Sequence, residues 1–376
     1  MSPATLKAVH LSPGVTGGIL KAEIPFQLDS GALLQQLEIA YETYGEPDSD
    51  GTNAVLVCHA LTGSAHAADE GSLTTAEQPA WWNGIIGSGR GLDTGRFFVI
   101  CANILGSCYG STGPASIDPF TGMLYQGSFP QVTVRDMVRA QRLLLEALGV
   151  RSLATVIGGS LGGMQVLEWA IMFPGMVRSV IPIATSAKHS AWCIAFDEAQ
   201  RLAIESDQAW HGGRYKEQPA RGLAIARMIA MISYRSRESF ETKFGRNIQP
   251  ADDPRTMPGL FDERRPSFQM ESYLRYQGQK LVDRFDAASY ICLTRAMDLH
   301  DVGAGRGGID RALGSISART LSIGISSDIL YPASEQRSIA SKIPGSAYAE
   351  IDSPHGHDAF LIENDRLNEL LLSFLS

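Results

Sequence analysis

What the sequence lacks narrows it first. Among its 376 residues there is no block of lysine and arginine, and the formal charge is −8. Binding to nucleic acid or to an anionic membrane needs clustered basic charge, so neither partner is expected. No stretch is apolar over the ~20 residues that span a bilayer. The opening Met-Ser-Pro-Ala-Thr-Leu-Lys-Ala-Val-His has no apolar segment of the signal-peptide kind. Cysteine is sparse: Cys58, Cys101, Cys108, Cys193 and Cys292 make an odd five, with no C-x-x-C. That pattern suits reduced, mostly buried thiols better than a disulfide framework. No internal repeat or low-complexity tract occurs. The expectation is a cytoplasmic chain of enzyme size.

What is present is an alternation of buried strands and helices. Hydrophobic residues make up 44% and charged residues 19%, enough for a large core. Residues 18–45 alternate in polarity between turns, as leading antiparallel strands do. Asn53–Cys58, Phe97–Ile104, Leu153–Ile157, Val177–Ala184 and Thr320–Ile325 are short apolar runs bounded by turn residues, the mark of strands buried on both faces. Thr133-Val-Arg-Asp136 resembles a capping box, and Met137, Val138, Leu144, Leu145 and Leu148 follow at helical spacing. This rhythm predicts an α/β fold with a mostly parallel sheet. It breaks near residue 185, becomes helical to about 302, and then resumes. The expected organisation is a core in two parts, 1–184 and 303–376, with a helical insertion over 185–302.

The strand Leu153–Ile157 runs directly into Gly158-Gly159-Ser160-Leu161-Gly162-Gly163 and then a helix. In a chain with 38 glycines the string G-x-S-x-G is weak by itself. Its place between a buried strand and a helix gives it meaning. A sharp turn there would hold Ser160 in a strained conformation with its hydroxyl off the sheet, and small residues two before and two after would let strand and helix approach. The Leu161 N–H would then sit at a helix N-terminus, a natural donor to an oxyanion. The alternative is a glycine-rich turn with a solvated serine.

A serine nucleophile needs a base, and the base needs an orienting carboxylate. Asp328 follows the strand Leu321–Ile325, at the edge where open α/β sheets build their sites. Its bland reading is a helix N-terminal acid ahead of Ala333. For the base, Ser353-Pro-His-Gly-His-Asp358 offers both His355 and His357. An H-x-H pair could also clasp a metal, but no further spaced ligand is recognisable, so no metal is expected. Gly303-Ala-Gly-Arg-Gly-Gly308 satisfies G-x-G-x-x-G without a strand before it. It is therefore expected to be a flexible junction and no dinucleotide site.

Several segments together resemble one family. They are His59-Ala-Leu-Thr-Gly63, Trp81-Trp82, Asn103-Ile-Leu-Gly-Ser-Cys-Tyr-Gly-Ser-Thr-Gly-Pro114, the turn Gly158–Gly163, Ala226-Arg-Met228 with Ser233-Tyr-Arg-Ser236, Ser327-Asp328, and Gly356-His-Asp-Ala-Phe360. The chain is similar over nearly its whole length to the homoserine O-acetyltransferases, acyltransferases of the α/β-hydrolase fold with an inserted helical lid. The resemblance implies Ser160 as nucleophile, Asp328 as orienting acid and His357 as base, leaving His355 a neighbour. It implies the Leu61 N–H as second oxyanion donor beside Leu161, and Arg227 and Asp358 as ligands of the substrate carboxylate and ammonium. Tyr234, seven residues after Arg227, would share its helix face. Arg227 also stands out by itself, as the one charge in Leu223–Ile232.

The activity so implied is ping-pong transfer of acetyl from acetyl-CoA to L-homoserine, the activating step of methionine biosynthesis. Acetyl-CoA is then a substrate, and no bound cofactor is expected. Family members are commonly dimers through the lid helices, so a homodimer is expected. The open alternatives are a succinyl donor or serine acceptor, an esterase or amidase with the same triad, and a catalytically silent binding module. Succinyl-using relatives tend to carry arginine two places after the catalytic aspartate. Here that place is Leu330, and an apolar residue offers a distal carboxylate no partner.

Overall fold

The computed structural model describes residues 5–12, 15–22, 25–69, 80–250, 260–261 and 267–376. The sheet is built from β1 (Thr5–Ser12), β2 (Val15–Ala22), β5 (Leu37–Tyr44), β6 (Ala54–Cys58), β7 (Phe98–Ala102), β8 (Leu153–Gly159), β9 (Ser179–Ile183), β10 (Arg319–Ile325) and β11 (Ala347–Ile351). A separate small hairpin joins β3 (Phe26–Gln27) to β4 (Leu33–Leu34). The nine strands lie in the order β1-β2-β5-β7-β6-β8-β9-β10-β11. The first three and the β5–β7 junction are antiparallel, and every pairing from β7 to β11 is parallel.

Sequence pattern tracks this topology. The parallel strands β6, β7 and β9 are buried at every residue, whereas antiparallel β5 alternates buried and half-buried positions. The parallel strands can be apolar throughout because layers cover both faces. One face carries α1 (Val134–Ala147) and α2 (Leu161–Met172), through Met137, Leu144, Val166 and Trp169. The other carries Trp82 and Ile85 with α11 (Asn364–Leu375), through Leu367 and Leu371. The Thr133–Asp136 capping box is present at the start of α1: the Asp136 N–H donates to Thr133 Oγ1 and the Thr133 N–H to Asp136 Oδ2 at 2.9 Å. All five cysteines are unpaired.

Between β9 and β10 the described residues form helices and no strand of the main sheet. They are α3 (Ala191–Glu205), α4 (Ala220–Tyr234), α5 (Arg237–Lys243), α6 (Gln269–Val282), α7 (Ala287–Asp298) and the short α8 (Ile309–Gly314). The chain then completes the core with α9 (Ala333–Lys342), β11, α10 (Ala359–Ile362) and α11. No helix among the described residues is long and apolar enough to cross a membrane.

The helical segment is tied to the carboxyl edge of the sheet. Trp192 Nε1 donates to the Ile329 carbonyl at 2.9 Å, and the Ser236 hydroxyl donates to the Pro354 carbonyl. One expectation is corrected here. The glycine-rich run 303–308 is no flexible junction, because its Arg306 forks onto Glu168 of α2 at 3.0 and 2.7 Å. Arg135 reaches the same buried carboxylate at 3.2 Å. A fully buried Glu168 needs such partners, and meeting that need anchors the loop.

Candidate active site

Ser160 stands where β8 turns into α2, with φ 59° and ψ −126°. Such backbone costs about 1–3 kcal/mol and persists where neighbours over-determine it. Here the Ser160 N–H donates to the Ile183 carbonyl at 3.0 Å, and Thr185 Oγ1 donates to the Ser160 carbonyl at 2.8 Å. The flanking glycines are required by close approach. A Cβ on Gly158 would come within 2.5 Å of the Cys58 carbonyl oxygen, and one on Gly162 would overlap that same atom. Bare glycine therefore lets the first turn of α2 lie against the end of β6, with Ser160 buried at the sheet edge.

Asp328 follows β10 and His357 follows β11, and the structure brings them together. His357 Nδ1–H donates to Asp328 Oδ2 at 2.7 Å, while Asp328 Oδ1 accepts the Leu330 and Tyr331 N–H groups at 2.8 and 2.9 Å. Asp328 is thus held by its own loop and not spent on α9, which begins at Ala333. Burial pushes the His357 imidazole down, but the charge and hydrogen bond of Asp328 and the charge of Asp358 outweigh it, leaving the group above its usual range. Phe360, packed edge-on to His357 at 5.5 Å, also lies against Gly159, which places the histidine segment beside the serine turn. His355 faces elsewhere, 4.0 Å from Glu363.

The other side of the site is the turn His59–Gly63. The His59 ring is buried and spans it: Nδ1–H donates to the Ala60 carbonyl at 2.8 Å, and Nε2 accepts the Ile104 N–H at 3.1 Å. Burial holds this imidazole down at about 4, so it stays neutral and keeps that tautomer. The Gly63 N–H closes the turn on the Ala60 carbonyl at 2.9 Å. Gln165 ties the turn to α2, its Nε2 donating to the His59 carbonyl at 3.3 Å and the Leu161 carbonyl at 3.2 Å. Gln165 is in turn held by Gln141 at 2.7 Å, and Gln141 by Trp169 at 2.8 Å. The Leu161 N–H, first in α2, has no partner within its own helix. Leu61 and Leu161 are therefore carried on two segments locked to each other.

The helical segment brings charge to the same place. Arg227 and Tyr234 lie on one continuous helix, α4, with the guanidinium 5.5 Å from the tyrosine ring centre. The Tyr234 ring is 5.6 Å from that of His357. Asp358 follows His357, with Arg235 3.7 Å away. Burial raises the Asp358 carboxyl above its usual range, against the opposing charges of Arg227, His357 and Arg235. Gly356 makes this juxtaposition possible: at φ 70°, a Cβ there would sit 2.6 Å from Ser236 N and 2.8 Å from the Tyr234 carbonyl oxygen. The result is the bonded Asp328–His357 pair beside the serine turn, with Arg227, Arg235 and Asp358 gathered next to it.

Comparison with known proteins decides the kinship. The alpha/beta hydrolase fold family matches residues 53–364. The homoserine O-acetyltransferase of Moorella thermoacetica is 52% identical over 354 residues, 93% of this chain and 92% of that protein. This chain belongs to the homoserine O-acetyltransferase family. The crystal structure of the homoserine O-acetyltransferase from Bacillus anthracis superposes with a TM-score of 0.87 at 27% identity, covering 96% of this chain and 98% of that one. Esterase E22 gives 0.85 at 28% identity, covering 96% and 100%.

The structure gives partners to two residues that the sequence offered only inside longer segments, Arg235 beside Asp358 and His59 behind the Leu61 turn, and it adds Gln165 and Arg284, which the sequence did not single out. Gln165 and Arg284 have no local signature, since each reaches a segment remote in the chain. A cluster of metal-ligand type also lies behind the site, on the far side of Tyr331 from His357. His189, Asp197 and Asp298 bring ligand atoms within 4.8 Å of one another. The Arg201 guanidinium lies 2.7 Å from Asp298, so a cation is already supplied and the cluster is an ion-pair network.

Proposed function

We propose that this chain transfers acetyl from acetyl-CoA to the hydroxyl of L-homoserine, a step of methionine biosynthesis, in the cytoplasm. His357 takes the Ser160 proton as Oγ attacks the thioester carbonyl, and the Leu61 and Leu161 N–H groups receive the developing oxyanion. His357 returns the proton to the departing CoA thiolate. Homoserine then enters, its hydroxyl gives its proton to His357 as its oxygen attacks the acyl-enzyme, and His357 passes that proton to Ser160 Oγ as the acyl–serine bond breaks. The observation that carries the acceptor is the opposed pair beside the base: Arg227 for an α-carboxylate and Asp358 for an α-ammonium.

Support for acetyl over succinyl comes from Leu330, buried in the apolar core just past Asp328. A succinyl carboxylate there would be desolvated without a partner. Support for a homodimer through the lid comes from α4, which leaves Ile225 and Ile232, two turns apart, 37% and 49% exposed.

Mass spectrometry after mixing with acetyl-CoA alone should show a single acetyl adduct on the Ser160 peptide, discharged within one turnover by homoserine. CoA release without homoserine, continuing at the rate seen with it, would instead support the esterase reading that the E22 likeness raises.

The pH profile tests the base. Because His357 must be neutral to accept a proton and its imidazole is raised above 6.5, acylation should fall on the acid side with a midpoint above that value. Asp358→Asn removes one of the raising charges, so the midpoint should move down. KM for homoserine should rise about 10-fold or more, with KM for acetyl-CoA within about 3-fold. An unchanged homoserine KM would remove Asp358 as the ammonium ligand.

A further inference from the structure

We infer that Arg284 is a positioning residue through which the helical lid sets the oxyanion-holding turn of the core. The inference rests on the acyl-transfer reading above. Arg284 lies at the corner between α6 and α7. Its Nη1 donates to the Thr62 carbonyl and to the Tyr109 hydroxyl, each at 2.8 Å, and its Nη2 reaches Thr62 Oγ1 at 3.4 Å. Thr62 is the residue directly after Leu61, so the guanidinium grips the Thr62–Gly63 peptide, two peptide planes beyond the one that carries the proposed donor.

The geometry gives this grip consequence. On the core side the turn is held by the His59 ring, the Gly63-to-Ala60 hydrogen bond and Gln165. Those contacts fix residues 59, 60 and 63, whereas Arg284 engages Thr62 through both its carbonyl and its side chain. The corner that carries Arg284 is itself rigid. The Arg284 and Phe285 N–H groups donate to the Leu281 carbonyl at 3.1 and 2.9 Å, and Asp286 Oδ2 caps α7 through the Ser289 N–H at 2.7 Å. Phe285 packs edge-on against Tyr109 at 5.6 Å, which holds the second acceptor of the guanidinium in place. An arginine fork can bridge a carbonyl and a phenol at once, and a lysine ammonium cannot reproduce that planar arrangement. Seating of the lid therefore restrains the turn that carries the Leu61 N–H. A donor misplaced by ~1 Å can cost about 100-fold in rate.

The test compares two acyl donors in Arg284→Lys and Arg284→Met, with Tyr109→Phe as a milder change to the same grip. Acetyl-CoA carries phosphates that an arginine could bind, and p-nitrophenyl acetate carries none. If Arg284 positions the turn, acylation by both donors falls by a similar factor, about 10- to 100-fold in the arginine variants and less in Tyr109→Phe. KM for homoserine stays within about 2-fold, and added ethylguanidine partly restores Arg284→Met. Loss confined to acetyl-CoA would make Arg284 a ligand of that substrate and overturn the inference, as would wild-type acylation by both donors in Arg284→Lys. If the unaltered protein accepts p-nitrophenyl acetate but not acetyl-CoA, the proposed function fails while the ester still tests Arg284.

Discussion

His357→Ala should lower acyl transfer by about 10⁴-fold or more, while His355→Ala stays within about 3-fold of the unaltered protein. The two histidines are two residues apart but face different partners. His357 is buried, bonded to Asp328 at 2.7 Å, and in ring contact with Tyr234, Tyr331 and Phe360. His355 is partly exposed and 4.0 Å from Glu363. Without an imidazole at 357, the Ser160 hydroxyl keeps its proton at neutral pH and the leaving thiolate gains no acid. A 10⁴-fold loss is about 5–6 kcal/mol of transition-state stabilisation, within the range of a triad that works as a unit. Steady-state CoA release, read with a thiol reagent at saturating homoserine, measures it. A large loss in His355→Ala with His357→Ala near normal would show the base to be misassigned.

The second large effect comes from adding a single methyl group. Gly162→Ala should destabilise the fold by more than about 3 kcal/mol and leave under about 1% of activity. The new Cβ would overlap the Cys58 carbonyl oxygen, which is backbone at the end of a central strand and cannot swing aside as a side chain could. Relief requires the first turn of α2 to lift from β6. That displaces the Leu161 N–H and the Ser160 backbone together, along with the Gln165 link to His59. Thermal unfolding should show a midpoint lower by roughly 4 °C or more. A Gly162→Ala protein with native stability and activity would mean that strand and helix do not approach as closely as described.

The strands and the serine turn were legible because their signals are local. Leu153–Ile157 and Thr320–Ile325 are apolar throughout because both faces of a parallel strand are covered, and that leaves a mark on contiguous residues. Thr133 and Asp136 cap α1 by a bond across three positions, which any reader of the chain can see. The junction 303–308 was misjudged for the opposite reason. Six residues rich in glycine read as mobile, and the restraint is an ion pair from Arg306 to Glu168, 138 positions earlier.

The candidate site divides along the same line. By itself the sequence determined the strand–turn–helix that bends at Ser160, the need for glycine around it, and the short list from which acid and base are drawn. Those follow from backbone sterics and hydrophobic period, which are properties of neighbouring residues. The choice of His357 over His355 came from resemblance and not from local pattern, and only folding shows it meeting Asp328, Arg235 standing beside Asp358, and Arg284 reaching across 222 positions to hold Thr62. Each of those is a hydrogen bond or ion pair between segments whose separation is set by sheet order and by the seating of the helical lid. Nothing in the local pattern of either partner encodes that distance.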